Sequence, residues 1–306
     1  MFNWLSRLRL LLLLATLLAQ GPLPAFAQTD GRAPRGFAWE ATRGGERVLL
    51  VGALHVGRAD AAAAFGADRA ALRDAQVVAF EANVFDAQAS LAAMQRWAMY
   101  ADGAPGLDAY LDAATLARMD RVAARNGGGL SLCCRMKPWM VANTLALLEA
   151  ARAGLSPAYG TEAQLYQLAL AGGKPIVEIE SADEQLRIFD EAALPVQIEY
   201  LRHTLDTLED GTGRAEIGRL ADAWARGDEA AMERLVAELA RDERAAQRFV
   251  ADRVLRGRHP KMLAAIERYA ASGRLHLVVI GALHYFGPDG LLVQLRGRGY
   301  TLKRLA

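Results

Sequence analysis

The string Gly-Ala-Leu-His occurs twice in this chain, at residues 52–55 and 281–284, near opposite ends of its 306 residues. Each copy follows a run of branched aliphatic residues, in "RVLLVGALH" (47–55) and "RLHLVVIGALH" (274–284). Short apolar runs closed by a turn residue read as strands buried on both faces, and such strands need helices covering the sheet on either side. In open α/β sheets the polar working groups gather at the carboxyl ends of the strands. The repeat therefore predicts two strands in one sheet, with His55 and His284 converging on one cleft. Gly52 and Gly281 give the backbone room to turn just below each imidazole. Two of the chain's five histidines stand in these copies, neither copy lies in low-complexity sequence, and both are read as functional.

The remaining pattern supplies the rest of the sheet and its cover. "AQVVAFEAN" (75–83) and "KPIVEIES" (174–181) are further strands, and "GYTLKRLA" (299–306) is a last one. Helical periodicity marks 86–100 and 107–126, the second stopped by Asn126-Gly127-Gly128-Gly129. Pro138 opens another helix, in the first turn where proline is tolerated, and "TEAQLYQLALAGG" (161–173) is an amphipathic one. From about 182 to 272 nearly every segment carries apolar residues three and four apart, with charge of both signs between them. The expected architecture is α/β: a central mixed sheet built from two similar halves, with this large helical region inserted, in a single domain over 28–306.

Residues 1–27 stand apart. Arg7 and Arg9 precede an apolar run at 10–19, and Ala25-Phe26-Ala27 follows, the order of a secretory signal peptide cut after Ala27. The run is short for a spanning helix and Pro22 and Pro24 follow it, so the mature protein is expected in the periplasm without a stable membrane span. The 36 basic and 35 acidic residues nearly balance, with or without the leader, which speaks against a nucleic-acid partner; the partner expected is a small-molecule or peptide substrate. The two cysteines, Cys133 and Cys134, are adjacent. Neighbours on a trans peptide reach disulfide geometry only with strain, so they read as buried or idle thiols, with a vicinal disulfide or an intermolecular bridge as the alternative. No Gly-x-Gly-x-x-Gly or Walker pattern opens a helix after a strand, which disfavours a redox or nucleotide enzyme.

Glu81 ends the apolar strand "VVAFE", where a carboxylate is costly unless paired or ligating, and Asn83 shares its side two positions on. Two histidines and a carboxylate match a catalytic metal site with an open water position, and equally an acid–base pair that needs no ion. Glu178 and Glu180 alternate along their strand, with Glu180 the better site candidate at its carboxyl end. Arg258 and His259 in "RVLRGRHPKM" offer an anion clamp or a further ligand, while His203, in a helix, and His276, in a strand, read as structural.

These pieces stand in a telling order: "GALH" (52–55), "FE" (80–81), "KPW" (137–139), "GTE" (160–162), "EIESADEQL" (178–186), "RH" (258–259), "GALHYFGPDG" (281–290) and "RGY" (298–300). Over nearly all of its mature length the chain resembles the TraB/GumN family, which includes the TIKI-type metalloproteases. The resemblance implies an α/β fold of two similar halves and, in some members, a metal-dependent hydrolase. On that reading His55, Glu81 and His284 hold Mn²⁺, Co²⁺ or Zn²⁺ and a bound water attacks an amide or ester carbonyl. Glu180 shuttles the proton and Arg258 steadies the oxyanion. The chain departs from the family pattern in three places: Glu162 stands for the usual Asp, His259 for the usual Asn, and "HVGRADAAAAFG" (55–66) lacks a Tyr-Pro-Leu. Two other readings remain. One is a metal-free hydrolase of the erythromycin-esterase-like type, with a histidine as base oriented by Glu81. The other is a non-catalytic metal- or haem-binding protein or exopolysaccharide accessory protein.

Overall fold

The computed structural model describes residues 36–59, 66–125 and 134–305. The expected leader, the glycine stop at 126–129 and Cys133 lie outside the described residues. The chain runs through β1 (Phe37–Arg43), β2 (Glu46–Ala53), the short β3 (Gly57–Arg58), α1 (Gly66–Asp74), β4 (Val77–Ala82), α2 (Ala87–Ala93), α3 (Ala113–Ala124), α4 (Pro138–Arg152), β5 (Leu155–Ser156) and α5 (Thr161–Ala171). Then come β6 (Ile176–Glu180), α6 (Ala182–Asp190), α7 (Leu194–Glu209), α8 (Thr212–Arg226), α9 (Glu229–Ala240), α10 (Ala245–Phe249), α11 (His259–Ala270), β7 (His276–Gly281), α12 (Leu291–Gly297) and β8 (Thr301–Arg304).

Six strands make one mixed sheet in the order β6-β4-β7-β2-β1-β8. The first four are parallel, and β1 and β8 each run antiparallel to the strand before them. The two motif strands, β2 and β7, are direct neighbours, with Gly52 opposite Ile280 and Ala53 opposite Gly281. Their side chains alternate between two cores. Leu50, Val278 and Ile280 face the large helical block, while Leu49, Val51, Leu277 and Val279 face Ala71 and Leu72 of α1 and Leu165 of α5. Each such aliphatic side chain, fully withdrawn from water, contributes about 1.5–3 kcal/mol, which is why these runs carry no polar residue.

β1 is a strand that the apolar runs do not reveal. Its signal is shorter: Phe37, Trp39 and Ala41 alternate into the core, and Gly44-Gly45, at φ 53° and 90°, make the tight turn into β2. Short polar caps interrupt the expected helix at 107–126 and divide the helical region that follows β6. The segment 107–126 is a 3₁₀ turn (Leu107–Ala109) followed by α3, because Asp112 accepts the Thr115 N–H at 2.7 Å and starts a new helix. Beyond α9 the chain breaks again at Asp242, which accepts the Arg244 N–H at 2.9 Å. After β7, residues 282–285 form a 3₁₀ turn, and α12 begins at Leu291. Among the described residues no helix is long and apolar enough to cross a membrane.

Candidate active site

The loop after β2 is held by the start of α5. Leu54 N–H donates to Thr161 Oγ1 at 3.1 Å, and Thr161 N–H donates back to the Leu54 carbonyl at 2.9 Å. A Cβ on Gly160 would lie 2.4 Å from the His55 carbonyl oxygen, so only glycine allows this approach. Glu162, in the first turn of the helix, then reaches His55: its Oε1 lies 2.8 Å from His55 Nδ1. The helix N-terminus favours that negative charge. From the helical block, Trp224 Nε1 donates to the Gly52 carbonyl at 2.7 Å and fixes the strand end.

The second copy is built differently. His284 sits in the 3₁₀ turn that follows β7 directly, and Glu81, near the end of the adjacent β4, accepts the Gly281 N–H on Oε2 at 2.8 Å. A Cβ on Gly281 would stand 3.3 Å from Glu81 Oε2, 3.5 Å from His284 Cδ2 and 3.8 Å from His55 Nε2. Two imidazoles from opposite ends of the chain and one carboxylate thus surround a single point, which glycine leaves clear.

Arg258 ties this centre together from the turn before α11. Its Nη2 donates to Glu81 Oε1 at 2.5 Å, and its Nε and Nη2 donate to Glu180 Oε2 at 2.9 and 2.5 Å. Its Nη1 lies 3.3 Å from His284 Nε2. Gln185 bridges the two carboxylates, its Nε2 3.1 Å from Glu81 and 3.4 Å from Glu180. Glu81, Glu180, Arg258 and His284 are each only 4% exposed. Charges this deep persist only when paired and hydrogen-bonded. Gln185 is a site residue that sequence reasoning missed. Its signals are its place inside "EIESADEQL" (178–186) and directly after Glu184 of the Ser181–Glu184 capping box that starts α6 at the end of β6.

The two histidines are pushed in opposite directions. Burial lowers the His55 pKa, but the Glu162 carboxylate, by charge and contact, and then Glu81 outweigh it and raise it above the ordinary value. Burial holds His284 well below its ordinary value, and Arg258 adds to this against the pull of Glu81. For Glu81 itself burial works upward, yet Arg258, then the histidines and the Gly281 N–H, keep it far below the usual carboxylate range. Titratable neighbours driven apart in this way mark acid–base assignments.

The other candidates fall around this centre. His259 lies behind His284, ring edge to ring face with 5.3 Å between centroids, and burial lowers its pKa. Asn83 is tied to the next strand, its N–H donating to Glu178 Oε2 at 3.1 Å. His203 Nδ1 lies 2.8 Å from Arg244 Nη1, and His276 stacks on Tyr269 at 4.7 Å.

Lone pairs decide whether a divalent ion fits. A guanidinium only donates, so Arg258 takes the Nε2 lone pair of His284 and, with Gln185, one oxygen of Glu81, while the other oxygen, which accepts the Gly281 N–H, and His55 Nε2 keep lone pairs. Among the described residues no three His, Cys, Asp or Glu side chains are spaced to hold one ion. As arranged, the cation between the carboxylates is Arg258, and a metal ion held by His55, Glu81 and His284 would need that guanidinium displaced.

No curated protein and no solved structure matches this chain. The sequence signature of the TraB/PrgY/gumN family matches residues 37–304, a stretch that carries both histidine strands and every side chain of the buried cluster, and the chain belongs to that family.

Proposed function

We propose that the protein is an exported hydrolase of amide (peptide) or ester bonds that works by acid–base chemistry at His55. The observation that carries this reading is the His55–Glu162 contact, 2.8 Å at Nδ1, with Nε2 turned toward the point shared with Glu81 and His284. A carboxylate at Nδ1 fixes the tautomer and leaves Nε2 to exchange a proton. His55 takes a proton from water as the water oxygen attacks the carbonyl carbon, and the imidazolium is stabilised by Glu162 and Glu81. It then returns the proton to the departing oxygen or nitrogen. Since Arg258 donates to Nε2 of His284, the neutral ring carries its proton on Nδ1, which is buried and has no partner in the protein. Arg258, with its donors committed, acts by holding Glu81, Glu180 and His284 in place. The test is turnover of an ester and peptide library by the purified protein, with His55→Gln as control. Activity that survives chelation and disappears in the variant supports the reading, and no turnover of any substrate sinks it.

A second reading keeps the metal. Two imidazoles and an ionised carboxylate within 4 Å of one point supply the residue types that Mn²⁺, Co²⁺ or Zn²⁺ prefer, provided Arg258 swings away. Elemental analysis of protein purified without a metal-affinity tag decides it: a stoichiometric ion, lost in His284→Ala, would displace the metal-free mechanism. Export rests on residues 1–27, and a mature N-terminus at Gln28 in a periplasmic fraction is the result expected.

A further inference from the structure

Next to the catalytic cluster lies a cavity that the chemistry above does not use. It measures about 90 Å³ and is walled by Val236, Leu239, Leu255, Leu283 and Phe286, with His259 as its buried polar member and Arg256 and Asp289 also in its lining. Leu283 is the chain neighbour of His284 and the His259 ring packs on the His284 ring, so the cavity adjoins the site directly.

The tautomer of His259 follows from its contacts. Nδ1 lies 2.8 Å from the Asp289 carbonyl oxygen, which can only accept, so Nδ1 carries the proton and Nε2 of the neutral ring keeps its lone pair. Gln294 Nε2 donates to the same oxygen at 2.6 Å and secures the arrangement. His259 is 4% exposed, and its Nε2 is buried with no partner in the protein. Buried acceptors are nearly always satisfied, so this one points to an occupant. A lone water is a poor one, because water wants two to four polar partners and these walls are largely aliphatic. The space is smaller than the roughly 150 Å³ that admits a benzene ring.

We propose that this cavity is a binding subsite for a short aliphatic group bearing one O–H or N–H, and that His259 Nε2 is the acceptor that selects for it. That this group is part of the molecule cleaved at His55 rests on the hydrolase reading; its binding does not. On that reading the substrate class narrows to esters or amides flanked by a short hydroxyalkyl or aminoacyl-type group.

The experiment uses two isomers that differ only in the donor, n-butanol and methyl propyl ether, titrated into the isotopically labelled protein and followed by amide chemical shifts. Butanol is expected to shift residues 283–290 and 236–239 and to bind roughly 5- to 10-fold tighter than the ether, the worth of one buried hydrogen bond. His259→Phe keeps a flat ring but removes Nε2, and should bind both isomers alike. Ala251→Leu fills the cavity from another wall and should abolish both titrations, which covers a failure of the first variant to fold. Equal affinities in the unaltered protein, or shifts that persist in Ala251→Leu, overturn the proposal. Butanol binding without turnover of any ester or amide leaves the subsite standing and removes the hydrolase reading; turnover without butanol binding does the reverse.

Discussion

The two Gly-Ala-Leu-His copies share four residues and a strand end, yet they meet different surroundings. The first is held by a helix N-terminus, and its histidine keeps 12% of its side chain exposed beside Glu162. The second is held by an arginine and two carboxylates, and its histidine is buried against that cation. One imidazole is thereby made easier to protonate and the other harder. A motif fixes where a side chain starts; the elements packed against it fix what that side chain does.

The largest effect that would break this contrast lies at Arg258. Arg258→Met strands Glu81 and Glu180 without a counter-charge, and urea unfolding at neutral pH should show a loss of about 3–5 kcal/mol. Arg258→Lys should recover little of it, since one ammonium cannot bridge both carboxylates and the imidazole. A loss below about 1 kcal/mol would mean that the second copy does not depend on this cation.

Next comes Glu162. Glu162→Gln should lower kcat/KM by roughly 10²–10³ while leaving the folded state within about 1 kcal/mol of the parent. If His55 is the base, kcat/KM rises with pH through a pKa above that of a free histidine, and the variant should bring that pKa down. An unchanged pH profile would detach Glu162 from the chemistry.

Stability against pH separates the copies directly. His284 is kept neutral in the fold and titrates normally when unfolded, so the unfolded chain binds the extra proton as pH drops below about 6.5. Stability then falls by up to about 1.4 kcal/mol per pH unit, and His284→Asn should flatten that slope. His55 has the opposite sign: its contribution is complete below about 6.5 and is lost as pH rises through its raised pKa, a loss that His55→Asn should remove. Glu81 adds a further loss only below the ordinary carboxylate range, near 4.5. Two variants with identical pH profiles of stability would erase the distinction.

The smallest effect concerns the first copy alone. Trp224→Phe removes the donor to the Gly52 carbonyl and should cost about 1 kcal/mol, with kcat/KM for His55 chemistry falling more than the pH slope of His284 changes.

What could be read from the chain beforehand follows the same division. The buried strands were legible because unbroken apolar runs have few other uses, and the placing of β2 and β7 in one sheet was legible because the string repeats, though their direct pairing was not. Glu81 announced itself as a charge at the end of such a run. Gln185 stood inside the quoted "EIESADEQL" but not as a site residue, since an amide in an amphipathic helix looks like any solvated face until β4 and β6 bring two carboxylates to it. Arg258 was visible as a basic residue but not as the partner of Glu81 and Glu180, because that pairing depends on side chains 177 and 78 positions away. The opposite protonation tendencies of the histidines are equally non-local. β1 was overlooked because its pattern is brief and half polar, although Gly44-Gly45 marked the hairpin.

The adjacency of β2 and β7 also has a temporal side. His55 is made early by the ribosome and its opposite number late, and the strand that carries the latter is inserted between two earlier ones, β4 and β2. Until that strand arrives, Glu81 lacks its Gly281 contact and the central gap in the sheet stays open. A chain whose translation stops halfway cannot assemble the His55–Glu81–His284 cluster, and the centre is complete only once the closing strand slots home.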